Sequence, residues 1–220
     1  MPAIPIGDNV FAIPITNRNF LYVIKGTTTT IIDSGLHFPG SYQALQNELK
    51  EINVDKESIS QLFLTHHDLD HVGNAAMLQK ETGCSIYISQ HDLPYVTGRQ
   101  KRPGIKRVFE IINAVERPKS ILAYDNAGRM GEFQIIPTPG HTPGHVCILY
   151  RNILFAGDLV LVKNRRLAYH SDLLTWDKEK LVKSTKKISS LAFEWICPGD
   201  AAPVKVCDIL NAYSFVSGKH

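Results

Sequence analysis

The sequence predicts an α/β protein of the α+β type, in which helices cover two stacked sheets. Three observations carry this expectation. Short apolar runs separated by polar breaks fill residues 10–32, similar runs return across 132–156, and three or four other segments place apolar residues at helical spacing. A sheet with an apolar face must bury it, and two strand-rich stretches accompanied by helices do so most simply as layers.

The elements follow in order. Residues 10–15, 20–24 and 27–32 read as a β-meander with Lys25-Gly26 as a turn, ending at the polar turn Asp33-Ser34-Gly35. Tyr42, Leu45, Leu49 and Ile52 lie at helical spacing and predict a helix over 41–52. A buried strand at 62–64 is followed by a helix to residue 82, stopped by Gly83, and then by a strand over 84–88. Residues 89–120 show no clear strand pattern. They contain a short helix at 108–115 and the basic run Arg99-Gln100-Lys101-Arg102-Pro103-Gly104-Ile105-Lys106-Arg107. Such a run suits the solvated outside of a lid-like insertion better than a phosphate grip. Strands return at 121–124 and 132–136. The three prolines of 137–145 exclude helix and central strand and demand a rigid loop. A hairpin turns at Arg151-Asn152, a helix covers 177–191, a short strand ends in Pro198-Gly199-Asp200, and a last helix is expected over 204–216. With no linker or repeat, residues 1–220 are expected to form one domain.

Composition narrows the function. The chain of 220 residues is 44% apolar and 20% charged, with a net charge of +3. That charge calls for neither nucleic acid nor an anionic membrane as partner, and no apolar run is long enough to span a bilayer. The expectation is a cytoplasmic monomer or homodimer acting on a small molecule. Cys84, Cys147, Cys197 and Cys207 show no Cys-x-x-Cys spacing. Cys84, Cys147 and Cys197 lie in or beside strand-like runs and read as buried free thiols.

The chemistry concentrates in Thr65-His66-His67-Asp68-Leu69-Asp70-His71-Val72-Gly73, between a strand and a helix. Desolvating so many titratable groups is costly unless a partner offsets it, and a divalent cation is the usual one. His66, Asp68, Asp70 and His71 are ligand types for Zn, Fe or Mn. The bland alternative is a polar turn in which Asp70 caps the helix and the histidines face water. Four ligand-type residues within six weigh against it. The same arrangement, a strand followed by a polar loop bearing His or Asp, recurs at Asp33, His141, Asp158 and Asp200. If these strand ends share one edge, they build one site.

These residues resemble the metallo-β-lactamase superfamily, whose fold is a four-layer αβ/βα sandwich. Thr65-His66-His67-Asp68-Leu69-Asp70-His71 is similar to its T-H-x-H-x-D-H motif. His141 lies in a T-P-G-H-T-x-G-H run, Asp158 ends a strand, Asp33-Ser34-Gly35 matches the first motif, and Pro198-Gly199-Asp200-Ala201-Ala202-Pro203 stands for P-G-H-G-x-P. The resemblance implies two divalent metal ions: one held by His66, Asp68 and His141, the other by Asp70, His71 and Asp200, with Asp158 bridging. Asp68 and Asp200 stand where the family usually has histidine. A carboxylate-rich site favours harder cations, so Fe or Mn join the family's usual Zn. Asp33, His67 and His145 are expected behind the ligands, His145 orienting the His141 loop, while His37 and His170 are expected to line the substrate pocket. His91 and His220 carry no signal.

The implied activity is hydrolysis of an ester, thioester or lactone bond by a metal-activated hydroxide, with Asp70 as proton shuttle. Alternatives are iron-dependent oxygenase chemistry of the persulfide dioxygenase kind, on His66, His141 and Asp158, and a non-catalytic metal-binding scaffold.

Overall fold

The computed structural model describes residues 2–113, 115–125 and 128–210. Its first sheet has seven strands in sequence order. β1 (Ile4–Gly7), β2 (Val10–Thr16), β3 (Asn19–Ile24) and β4 (Thr29–Ile32) form an antiparallel meander; β5 (Ile59–Phe63), β6 (Ser85–Ile88) and β7 (Leu122–Ala123) continue it in parallel. The parallel crossovers carry α1 (Ser41–Glu51) between β4 and β5, α2 (Leu69–Val72) and α3 (Ala75–Thr82) before β6, and α4 (Leu93–Val96) and α5 (Lys106–Ile112) before β7. The second sheet orders β15 (Val204–Lys205), β14 (Trp195–Pro198), β11 (Ile153–Gly157), β10 (Val146–Tyr150), β9 (Phe133–Pro137) and β8 (Arg129–Met130). A separate ribbon pairs β12 (Leu161–Lys163) with β13 (Arg166–Ala168), and α6 (Lys178–Ile188) precedes β14.

Three apolar layers make this a four-layer sandwich. β3 is buried along its whole length because both faces are covered. Leu21 and Val23 face Leu45 and Leu49 of α1 and Leu78 of α3, while Phe20, Tyr22 and Ile24 face the second sheet. Alternation along a strand dictates this division. Between the sheets, Phe63 meets Phe133 edge to face, 5.1 Å between centroids. Behind the second sheet, Cys147, Leu154 and Ile196 pack on Leu181 and Ile188 of α6. Each fully buried Leu or Ile contributes roughly 1.5–3 kcal/mol. Cys84, Cys147 and Cys197 are buried free thiols, and Cys207 is an exposed one. Among the described residues, no helix is long and apolar enough to cross a membrane.

Several expectations need correction. Residues 204–208 do not form the expected α-helix: Val204 and Lys205 pair with Ile196 and Trp195, and a single 3-10 turn, Val206–Asp208, follows. Edge pairing overrides the helical spacing there; residues 211–216 of the expected helix lie outside the described residues. The helix placed at 108–115 starts at Lys106 and ends at Ile112. The basic run around it is not wholly solvated, since Arg102 and Lys106 are buried. β1, β8, β12, β13 and α4 span only two to four residues each, too short for a periodic pattern to stand out.

Candidate metal centre

Five loops leave the C-terminal ends of β4, β5, β9, β11 and β14, and all five meet at one edge of the sandwich. They carry Asp33, the 66–71 segment, His141, Asp158 and Asp200. The side chains form two groups whose ligand atoms lie within 4.8 Å of one another: His66, Asp68, His141 and Asp158 in the first, Asp70, His71, Asp158 and Asp200 in the second. Asp158 belongs to both. Its Oδ1 is 3.1 Å from His71 Nε2, and its Oδ2 is 3.4 Å from His141 Nε2 and 3.9 Å from His66 Nε2.

Surrounding residues aim these side chains. Asp33 accepts from Thr65 N at 2.8 Å and lies 2.8 Å from His71 Nδ1. With Nδ1–H donated to Asp33, it is Nε2 of His71 that faces the site and would offer its lone pair to a metal ion. Thr65 Oγ1 lies 3.0 Å from His66 Nδ1 and does the same for that ring. His145 acts more widely than on its own loop: Nδ1 pairs with Thr138 Oγ1 at 2.9 Å, and Nε2 accepts the backbone N–H of Asp158 at 3.1 Å. The loop of Asp200 is backed by β3, where Tyr22 donates to the Pro198 carbonyl and Phe20 N donates to that of Gly199. Gly199 lies against the second group. A Cβ there would sit 2.2 Å from His71 Cε1 and 2.8 Å from Asp158 Oδ1.

The expected residues fall as follows. His67 is fully buried, its ring packed at a tilt 4.4 Å from the Tyr95 ring, with Nδ1 3.2 Å from Asp68 Oδ1. Asp70 lies inside α2, whose N-cap position is Asp68, and is about a third exposed. His170 lines the cavity in front of the site, 3.7 Å from Asp158 and 3.9 Å from Asp200. His37 does not line that cavity. Its ring pairs with Asn74 Oδ1 at 3.1 Å, and its neighbour Leu36 faces the opening instead. His91 is exposed, and His220 lies outside the described residues.

Three residues of the site carry no legible signal in the sequence. Lys106 Nζ lies 2.6 Å from Asp68 Oδ2 and 3.1 Å from His141 Nε2. Arg102 donates through Nε and Nη2 to the His67 carbonyl and through Nη1 to Glu110. In sequence, both are two cations among several. Asp92, at the N-cap position of α4, is fully buried and accepts from His67 N, Thr142 Oγ1 and Gly144 N. It joins the two histidine-bearing loops.

Electrostatics follow from this crowding. Burial would raise the Asp68 carboxyl, but the Lys106 ammonium and bonds from His141, His66 and His67 hold it well below the usual range. Burial would lower His71, but Asp158, Asp33 and Asp70 outweigh it and raise the ring well above its ordinary value. Asp200 is pushed up to about 8 by burial and by Asp158 and Asp70. Burial, then repulsion from His71, lowers His66.

The donors fit a divalent cation. His66 Nε2, His71 Nε2 and Asp158 Oδ1 are buried and make no well-aligned hydrogen bond, although the last two lie 3.1 Å apart. Buried polar atoms are rarely left so, and three converging ones of ligand type point to a bound ion. In front lies a cavity of about 270 Å³, its wall shared by apolar Leu36, Leu69, Phe109 and Leu174 and by Arg102, Lys106 and Asn113.

Comparison with known proteins agrees with the geometry. A family model described as the Metallo-beta-lactamase superfamily matches residues 15–200. A "Probable metallo-hydrolase YflN" of Bacillus subtilis (strain 168) is 25% identical over 89% of this chain and 81% of its own length. A "Hydroxyacylglutathione hydrolase" of Citrobacter koseri is 30% identical over 83% of this chain; the chain spans 61% of that protein. Among solved structures, metallo-beta-lactamase family protein TTHA1429 from Thermus thermophilus superposes with a TM-score of 0.74 at 16% identity, covering 97% of this chain and 80% of that one. TTHA1623 in a di-iron-bound form gives 0.71 at 24%, covering 97% and 98%. With the family model matching most of its length and metallo-hydrolases among its relatives, the chain belongs to the metallo-beta-lactamase superfamily, as an enzyme of its metallo-hydrolase class.

Proposed function

We propose that this enzyme hydrolyses an ester, thioester or lactone bond of a small molecule, with a thioester as the first choice. One observation carries the reading: two clusters of ligand-type side chains share Asp158 at the floor of a cavity of about 270 Å³. A divalent cation bound there brings the pKa of water towards neutrality and polarises the electrophilic oxygen. His66, Asp68, His141 and Asp158 would hold one ion, and Asp70, His71, Asp158 and Asp200 the other. Asp70 is raised by burial, with Asp158 and Asp68 also raising it and His71 opposing, and it is about a third exposed. Where it is not fully engaged as a ligand, Asp70 would carry a proton to the leaving group. Among the described residues, no Ser or Cys lines the cavity, so a side-chain nucleophile of that kind has no support there. The thioester preference rests on the hydroxyacylglutathione hydrolases among the relatives.

The test is a substrate panel of esters, thioesters, lactones and phosphodiesters, assayed with protein loaded separately with Zn, Mn and Fe. Turnover of a thioester that chelation and Asp158→Asn both abolish is the expected result. Inactivity across the panel overturns the reading. A second reading rests on His66, His141 and Asp158 within one group, the two-histidine, one-carboxylate set of iron oxygenases. Oxygen uptake with a persulfide by the iron-loaded protein would favour it.

A further inference from the structure

The two ligand groups are not equivalent. In the second, the close contacts of His71 Nε2 are themselves ligand-type carboxylates, Asp158 Oδ1 at 3.1 Å and Asp70 at 3.8 Å, and among the described residues no lysine or arginine is paired with any of its four members. In the first, two of the four ligand atoms are already engaged. Asp68 Oδ2 lies 2.6 Å from Lys106 Nζ, and His141 Nε2 lies 3.1 Å from the same ammonium and 2.9 Å from Asp68. An ammonium only donates. When it donates to His141 Nε2, it uses the lone pair that a metal would need. When that nitrogen instead carries a proton towards Asp68, the lone pair is equally absent. Lys106 is buried, so its charge is poorly screened by solvent and repels a divalent ion placed on the same carboxylate oxygen.

We propose that Lys106 is a built-in cation of this site, competing with a metal ion for Asp68 and His141. The first group then binds an ion only when the Lys106 side chain leaves, and the second group binds independently of it. Lys106 already forms part of the cavity wall, so the cavity is where it would go. Its backbone opens α5, within the segment that also brings Arg102 and Phe109 to the cavity. Occupancy of the first group would therefore change the charge that the cavity presents to a substrate. This rests on the metal-binding part of the reading above, though not on any substrate.

The competition is tested by titrating the metal-free full chain and its Lys106→Met variant with Zn²⁺, using calorimetry and elemental analysis after gel filtration. Methionine keeps the apolar stem and removes the charge. The expected result is one tight ion per wild-type chain and a second at least tenfold weaker, with the weaker one tightening at least tenfold in Lys106→Met. Lys106→Arg should keep the second ion weak. Equal affinities in the wild type, or an unchanged second ion in Lys106→Met, overturn the proposal. A second measurement needs no variant: reductive methylation of wild-type Lys106, read by peptide mass spectrometry. It should stay low through the first equivalent of Zn²⁺ and rise severalfold with the second; constant reactivity overturns the competition. A wild type that binds no ion overturns both this and the metal-dependent reaction. Unequal ions without hydrolysis would overturn the reaction alone.

Discussion

The Asp92 carboxylate accepts the backbone N–H of Gly144 at 2.7 Å through one oxygen, and Thr142 Oγ1 at 2.7 Å and His67 N at 3.1 Å through the other. One buried side chain thus fastens the loop of His66 to the loop of His141. Asp92→Ala would leave three buried donors unsatisfied, each costing roughly 1–3 kcal/mol. The expected outcome is a loss of about 3–5 kcal/mol of stability, read by urea unfolding, with weakened metal binding in whatever remains folded. A loss under about 1 kcal/mol would mean that the clasp is not formed.

Gly199→Ala separates site geometry from stability. Its Cβ would press on His71 Cε1 and Asp158 Oδ1. The donors of the second group would be pushed apart, so the tighter ion should weaken at least tenfold in a calorimetric titration while the far-UV spectrum stays that of the wild type. Wild-type affinity would show that the loop gives way without cost.

Asp33 reaches the site only through other residues. It holds His71 at Nδ1 and accepts from Thr65, whose hydroxyl holds His66. Carboxylates placed behind a histidine ligand typically tune metal affinity roughly 10–100-fold. Asp33→Asn should weaken metal binding by about that factor, with the weakened binding visible at every pH where the protein is folded. A variant with unchanged affinity would make Asp33 a purely structural residue.

Acid should destabilise the protein through His145. Burial, then repulsion from His141, lowers its pKa from 6.5 to about 3, and its Nε2 accepts the Asp158 N–H. Between those values the unfolded chain binds a proton that the folded chain refuses. The contribution is therefore complete above the unfolded pKa and is lost as pH falls from about 6.5 towards 3, on the order of a few kcal/mol. Unfolding free energies of the wild type and of His145→Gln, measured from about pH 7 to pH 4, should converge as the pH falls. Parallel curves would remove His145 as the cause.

The local sequence was enough for the interior strands and for naming the side chains that gather at the site. Runs such as Phe20-Leu21-Tyr22-Val23-Ile24 are apolar because both their faces are covered, and the helices over 41–51 and 178–188 show their buried stripe as spacing. His66, Asp68, Asp70, His71, His141, Asp158 and Asp200 could be named because several ligand-type side chains at strand ends have few other uses. The resemblance to the superfamily's motifs divided them into two groups sharing Asp158, and the folded chain brings the same groups together.

What only the tertiary structure decided concerns residues whose partners are distant in sequence. Val204 and Lys205 are strand rather than helix because the edge of β14 offers unpaired backbone groups. Asp92 is a clasp because His67 and Thr142 arrive beside it from 25 and 50 residues away. Lys106 is the clearest case, since nothing in a run of Arg and Lys says which member will be buried against Asp68 and His141. Apolar patterning is a local record of burial, so a sequence displays it. The partner of a charge is chosen by where the fold carries it, and no local record of that exists.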